Sequence, residues 1–403
     1  MRVLYLSPAA GLGGAERALV DMIKALRAVE PSWPVGLLAL EDGPLLAEAR
    51  ATGADASVLP LPPSFAGTGE SGRQALATWL RLSRGAGPLL AFSRALRATI
   101  REWGPDLIHS NGVKTHVLGS WCAGTAVPLV WHIHDYVSTR PVSRHLLRMH
   151  RRRASALVAN SRSVAADVAA AVGGGRTPVT IYNAVDFDRF NPAGTSLDLD
   201  ELSSLPPPVA PVVRIGLIGT FARWKGHSVF LDAVSRLATR APVRAYVIGE
   251  AVYQTGTASQ VSRAELEAVV DARGLGGRVG FTGFVKDAAA ACRALDIVVH
   301  ASTEPEPFGL AIVEAMACGR AVVVSNAGGA REIGVPEHTC LTHTPGSAAE
   351  LAEQIARLVD DPALRARLGA AAADDVRARF THQKMGTALA SLYLHLSPGD
   401  ACG

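Results

Sequence analysis

Two glutamates, Glu306 and Glu314, stand in the setting most suited to chemistry, the stretch from Ile297 to Gly334. Ile297–His300 reads as a buried strand, a polar loop follows, and a short helix begins after Gly309. Glu306 then lies just before the helix and Glu314 about one turn inside it. Pro305 and Pro307 stiffen the approach, since each fixes its own φ and removes a donor. Gly309 lets another group approach the backbone at the helix N-terminus, where unpaired N–H groups and the helix dipole favour negative charge. Gly319 takes the place of a left-handed cap. Such a unit suits an anionic, hydroxyl-bearing molecule.

Four further groups of residues bear on which molecule that is. The loop Gly11–Glu16 follows an apolar strand and opens a helix, so the N–H groups of Gly13 and Gly14 could cradle a phosphate. Glu16 stands where a dinucleotide fingerprint needs its third glycine, which argues against NAD. The plainer alternative is a tight turn with Glu16 balancing the helix dipole. The loop Gly219–Gly226 carries Arg223 and Lys225 at a strand's carboxyl end, where two cations suit a diphosphate. It is not a P-loop, because neither Ser nor Thr follows Lys225, and a solvated basic turn is the competing reading. In His132-Ile133-His134-Asp135 the two imidazoles share one face of a strand, yet no Cys or acidic cluster completes a metal site. One histidine at the strand end, His134, or a satisfied structural histidine remains. Finally, Arg140–Arg153 sets arginines beside apolar residues at helical spacing, and Arg73–Trp103 repeats that character. Both could lie on anionic lipid headgroups or be solvated basic helices.

The elements that must position these residues form an alternating series. Strands are expected at Arg2–Ser7, Val35–Leu40, Ser57–Leu61, Leu107–Ser110, Leu129–His132 and Ala156–Asn160, then at Arg214–Ile218, Arg244–Ile248, Val279–Thr282, Ile297–His300 and Ala321–Ser325. Helical patterns intervene, the one from Arg73 to Trp103 broken at Gly85-Ala86-Gly87-Pro88. The series predicts an α/β fold of two Rossmann-like, doubly wound parallel sheets facing a cleft. We expect a first domain over 1–191, a Pro- and Ser-rich linker over 192–211, a second domain over 212–380, and a C-terminal helix over 381–403 crossing back to the first. At 403 residues with 48% hydrophobic and 19% charged residues, the chain can fill two cores. A net charge of +4 does not call for nucleic acid. Five scattered cysteines without a C-x-x-C pair fit a reducing cytoplasm. Neither a signal peptide nor a spanning segment is expected, which implies a soluble protein or one peripheral to the inner face of a membrane.

Taken as a set, these residues resemble the retaining glycosyltransferases of the GT-B fold in glycosyltransferase family 4. The strongest element is Glu306-Pro307-Phe308-Gly309-Leu310-Ala311-Ile312-Val313-Glu314, an E-x7-E pattern in a strand–loop–helix setting. Gly13–Glu16, Trp224–Gly226, Phe281–Phe284 and Ala327–Gly329 follow the family's order, so the likeness covers most of the chain. It implies that Glu314 holds the ribose of a nucleotide and Glu306 the hydroxyls of a donor sugar. Backbone groups of Phe308, Gly309 and Leu310 would meet sugar and phosphate, and Lys225 the diphosphate. Val285 would frame the base, Gly13 and Gly14 would close on the phosphates, and His134 would lie near the transferred sugar. Where the family often has Gly-Arg this chain has Gly219-Thr220, and Arg223 is the candidate to supply the missing charge.

The implied chemistry matches the residues. Breaking a sugar–phosphate bond leaves negative charge on the diphosphate, which fixed cations and helix N-termini stabilise. With Arg223 and Lys225 in that role neither metal nor cofactor is required. No carboxylate presents itself as a nucleophile, so front-face attack is favoured for retention. UDP is the first expectation for the donor and GDP the next. The acceptor, a saccharide, lipid-linked glycan or small metabolite, would meet Asn111–His116, with Asn111 foremost, Tyr136–Arg144, with Tyr136 foremost, and Pro62–Gly72. The competing readings are an epimerase or phosphorylase of the same fold, a Rossmann oxidoreductase with Glu41 on a ribose, and a non-catalytic sugar-nucleotide-binding protein.

Overall fold

Short apolar runs, buried at nearly every position, build two parallel sheets in a computed structural model that describes residues 1–63, 75–237, 242–251 and 259–397. Strands buried on both faces need helices on both sides, and the intervening amphipathic segments provide them. The chain divides into one unit of Met1–Ala184 plus the segment from His382, and a second of Val185–Thr381.

In the first unit β1 (Val3–Ser7), β2 (Val35–Ala39), β3 (Asp55–Val58), β4 (Leu107–Asn111), β5 (Leu129–Ile133), β6 (Ala156–Ala159) and β7 (Val179–Thr180) form one parallel sheet in the order β3-β2-β1-β4-β5-β6-β7. On one face Leu19, Met22, Ile23 and Leu26 of α1 (Gly14–Val29) pack on Val3, Tyr5, Val35 and Leu37. The other face buries Leu4, Leu6, Leu129 and Trp131 beneath helices that include α3 (Ala75–Trp103), α4 (Val113–Cys122), α5 (Pro141–His150) and α6 (Arg162–Val172); α2 (Pro44–Ala51) lies beside β3.

The second unit repeats the plan with β8 (Val213–Ile218), β9 (Val243–Ile248), β10 (Val279–Gly283), β11 (Ile297–His300), β12 (Ala321–Ser325) and β13 (Leu341–His343), ordered β10-β9-β8-β11-β12-β13. Its helices are α7 (Leu199–Leu202), α8 (His227–Leu237), α9 (Arg263–Ala272), α10 (Ala288–Arg293), α11 (Leu310–Ala317), α12 (Ala348–Asp360) and α13 (Pro362–Arg379). Each sheet grows first in one direction and then in the other. The reversal falls between β1 and β4 in the first unit and between β8 and β11 in the second. At such a switch point the loops leaving adjacent strands part, and a ligand can sit at the strands' carboxyl ends.

Three features depart from expectation. The segment 192–211 is not a free linker, and the second unit begins earlier, at Val185. Val185 N–H donates to Phe380 O (2.9 Å), and the Arg293 guanidinium reaches carbonyls of Arg189, Asn191 and Thr195. Asp198 then caps α7, and buried Asp200 accepts from Arg244 (2.6 Å), Tyr246 (2.7 Å) and Arg214 (3.0 Å), pinning the segment to β8 and β9. Secondly, α3 runs unbroken through Pro88, its later turns held by Phe92, Leu96 and Ile100 in the core. Packing outweighs the hydrogen bond lost at proline. Thirdly, two edge strands, β7 and β13, add to those expected, and β3 begins earlier, at Asp55.

The helical tail from Ala348 divides into α12, α13 and α14 (His382–Leu396). α14 lies on α1 within the first unit. Contact is close at Gly386, where a Cβ would stand 2.1 Å from Ala25 O. His382 Nε2 meets Asp21 Oδ1 at 3.0 Å. Among the described residues no helix is long and apolar enough to cross a membrane.

Candidate active site

The switch point of the second unit brings the loop after β8 beside the loop after β11. Thr303 N–H donates to Trp224 O (2.7 Å), stitching the two together. Lys225 ends a 3-10 turn, and Gly226 follows with φ +74°. A Cβ at Gly226 would stand 1.9 Å from Ala301 O, so only glycine lets the loops close. Closure carries the Lys225 ammonium to both oxygens of Glu306, at 2.8 Å each. Lys225 Nζ also lies 4.2 Å from the centre of the Trp224 ring.

Glu306 is 7% exposed. Its Oε2 accepts from Ser302 Oγ (3.0 Å) and lies 3.2 Å from His300 Nε2. Ser325 Oγ in turn donates to Ser302 O (2.6 Å), and His343 Nε2 lies 3.1 Å from His300 O. Its backbone is fixed as well, since Gly329 N–H donates to Glu306 O (2.7 Å) and Gly328 bridges to it. Burial pushes the Glu306 carboxyl up, but Lys225 and His300 overcome that and hold it at about 2. The group is a fixed carboxylate, able to accept hydrogen bonds from hydroxyls.

Beyond it Phe308 is buried edge-on to Phe380, with ring centres 5.7 Å apart. Gly309 caps α11 with φ +109° and ψ +61°, and Leu310 begins that helix. Glu314 lies half-buried on its second turn. Val285, half-buried, follows β10 where Gly283 turns with φ +69°. Lys225 and Glu306 are therefore brought into direct contact. Arg223 is directed elsewhere: its guanidinium meets Glu265 Oε1 at 2.6 Å on the first turn of α9. Thr220 is exposed. Residue-type reasoning overlooked His300, Ser302, Ser325 and His343. A usable signal was the His-x-Ser pair leaving a strand four residues before Glu306.

In the first unit Gly13 is the N-cap of α1 and Gly14 its first residue. Two of the donors there are taken by the chain itself. The Glu16 carboxylate accepts from the Gly13 and Glu16 backbone N–H groups, and burial raises its pKa despite them. A Cβ on Gly13 would come within 2.7 Å of Glu16 Oε2. Glu41, weighed as a ribose ligand, accepts from Ala10 N–H (3.0 Å).

Across the switch point, His134 Nε2 pairs with Asn111 Oδ1, and Asn111 Nδ2 donates to Ala15 O (3.4 Å). Burial moves His134 down to about 4, partly opposed by Asp135. Asn111, expected to touch an acceptor, is 2% exposed and turned inward to this pair. Tyr136 is half-buried with its hydroxyl 2.9 Å from Ser163 Oγ. The acceptor segment Pro62–Gly72 lies outside the described residues from position 64 onward.

The basic stretch Arg140–Arg153 forms α5 and a following turn. Some of its arginines serve the fold, Arg153 capping the carbonyls of Ala123, Gly124 and Val127 and Arg148 that of Ala171. Val142 and Met149, 54% and 61% exposed, share its outward face with His145 and Arg152.

Both halves of the chain match known families. The model of glycosyl transferases group 1 matches residues 213–375, and that of glycosyltransferase family 4 matches residues 12–189. The 2-deoxystreptamine glucosyltransferase of Streptomyces kanamyceticus is 29% identical over 283 residues, 65% of this chain and 70% of that protein. The lipopolysaccharide core biosynthesis glycosyltransferase LpsD of Rhizobium meliloti is 30% identical over 52% of this chain and 55% of its own length. HepE from Anabaena, solved with UDP and glucose, superposes with a TM-score of 0.79 at 28% identity over 97% of this chain and 99% of its own. With two switch-point sheets, an E-x7-E helix and a family match on each half, the chain belongs to the GT-B glycosyltransferases of the family 4 type.

Proposed function

We propose that this glycosyltransferase retains anomeric configuration, taking a sugar from a nucleoside diphosphate sugar, UDP-linked in the first place and GDP-linked in the second. The acceptor is a hydroxyl of a saccharide, a glycolipid or a small metabolite. The observation that carries this reading is the partly buried Lys225–Glu306 pair at the switch point, beside the N-terminus of α11. HepE, bound to UDP-glucose in one of its structures, supports the choice of donor.

In this reading Glu306 accepts hydrogen bonds from the sugar's hydroxyls, and Glu314 from the ribose. Lys225 and the α11 N–H groups face the diphosphate, where charge develops as the anomeric C–O bond breaks. The acceptor oxygen bonds to the anomeric carbon on the face the diphosphate leaves, and its proton passes to a phosphate oxygen. No metal enters this scheme. Arg223 is a reserve cation that must leave Glu265 to take part.

A panel of nucleotide sugars scored by thermal shift tests the reading, since a ligand of the folded state raises the melting temperature by mass action. One UDP- or GDP-sugar should stabilise the wild type and fail to stabilise Lys225→Ala. A panel with no stabilising member would sink the proposal. Incubating the hit with and without acceptor then separates transfer from epimerisation.

The α5 face suits an acceptor held on an anionic bilayer. From Leu107 to Ala166 the chain has only Asp135 as a carboxylate, against Lys114, Arg162 and the arginines of 140–153. Exposed Val142 and Met149 supply apolar contacts among those cations. Flotation with vesicles containing phosphatidylglycerol should recover the protein at low salt and less of it as salt rises. Equal recovery on neutral vesicles argues against the idea.

A further inference from the structure

Beneath His134 runs a row of polar rings that the chemistry above does not use. Tyr5 on β1, His109 on β4 and His132 on β5 face the same side of the first sheet, and Tyr393 reaches them from α14. All four are 0% exposed in a core otherwise made of Val, Leu, Ile, Met and Ala with Trp33. Tyr5 Oη lies 3.1 Å from Tyr393 Oη, which lies 2.6 Å from His109 Nδ1. His109 Nε2 lies 3.2 Å from His132 Nδ1. The His132 ring stacks under His134, centres 4.3 Å apart and planes 12° from parallel.

The far side of His134 is fixed by Asn111. Because Asn111 Nδ2 is spent on Ala15 O, its Oδ1 is the atom turned to His134. An amide oxygen only accepts, so His134 Nε2 must carry the proton. Burial keeps the ring neutral, which leaves Nδ1 as a bare acceptor.

We propose that Tyr393, acting through His109 and His132, is a positioning residue that together with Asn111 fixes the ring plane and Nε2–H tautomer of His134. Each side chain in the row orients the next: the Tyr393 hydroxyl fixes His109, His109 fixes the plane of His132, and that plane is the surface on which His134 lies. Stability alone does not account for the row. Buried polar rings are costly unless fully paired, and His132 Nε2 has no hydrogen-bond partner among the described residues. An apolar core of equal volume avoids that cost. The row also ends at the carboxyl end of β5, beside β4, which borders the switch point of the first sheet. The last helix therefore completes the support of a residue from which the whole of the second unit separates it in sequence. The link to turnover rests on the proposed function, whereas the effect on His134 does not.

Nitrogen-15 NMR of the histidine rings in the full chain tests this without an activity assay, because protonated and bare ring nitrogens differ widely in shift. The wild type should show His134 as a single Nε2–H tautomer. Tyr393→Phe, which removes one hydroxyl and keeps the packing, should move the His109, His132 and His134 signals. Should that variant not fold, His132→Phe keeps a ring under His134 but cuts the hydrogen bond to His109, and the same change is expected. Wild-type His134 nitrogen shifts in either folded variant overturn the proposal. With the donor and acceptor identified, Tyr393→Phe should lower kcat about tenfold, the scale of a slightly misplaced group, with donor KM unchanged. Altered shifts with unaltered turnover would uphold the positioning of His134 and count against its role in transfer.

Discussion

A carboxylate as buried as Glu306 stays charged only while its partners outweigh the loss of water. Lys225 is the main one, and His300 and Ser302 take up the rest of one oxygen. The folded state holds the group at about 2 against an ordinary 4.5, so it binds that proton less readily than the unfolded chain. Stability from this source is complete above pH 4.5 and drains away as pH falls toward 2. The gap amounts to about 3 kcal/mol. Lys225→Met reverses the sign, because burial without the cation favours the neutral acid. Urea unfolding of both proteins at pH 7 and pH 3 provides the comparison. The wild type should lose about 2 kcal/mol from this group between pH 7 and pH 3, and Lys225→Met should lose none from it. Equal losses would show that the ammonium does not hold the charge on Glu306.

Elements differ in how openly the sequence announces them. The strands that flank each switch point are mostly apolar runs ending in Gly or polar residues, and periodicity suffices to find them. The E-x7-E helix is similarly plain, with glycines at both ends. α7 was hidden, because its hold on the sheet comes from Asp200 meeting Arg214, Arg244 and Tyr246, residues that are neighbours only once β8 and β9 pair. α3 was hidden differently: glycines and Pro88 argue for a break, and only the packing of its later turns overrides them. The same limit applies to the site. Glu306 and Lys225 could each be picked out by residue type and position, but their mutual contact depends on Gly226 closing on Ala301. Arg223 looked available from its place in the loop, and its partner Glu265 comes from a capping box on another helix. Local pattern names the candidates, and non-local pairing decides which of them meet.

Across the whole molecule, the two units should respond to acid in different ranges, and the last helix should follow the first of them. His109 is held at about 3 and His134 at about 4, with His116 and His132 well below the ordinary 6.5, in each case chiefly by burial. The unfolded first unit therefore binds protons that the folded one refuses. Stability from these groups is intact above pH 6.5 and falls as pH drops toward 4. Several imidazoles share this window, so the loss steepens as pH falls through it. The second unit has fewer such groups, chiefly His227 at about 4 and His343, so its acid response should be gentler in that range. Hydrogen exchange read by mass spectrometry between pH 7 and pH 4.5, corrected for intrinsic rates, follows both at once. Peptides from β1, β4 and β5 should lose protection first. Those from α14 should open with them, because α14 packs on α1 and its Tyr393 is bonded to His109. Peptides from α13, its immediate neighbour in sequence, should stay protected with the second unit. If α14 instead opens together with α13, or all segments open at one pH, then neither the histidine row nor the return of the last helix governs the acid stability of the first unit.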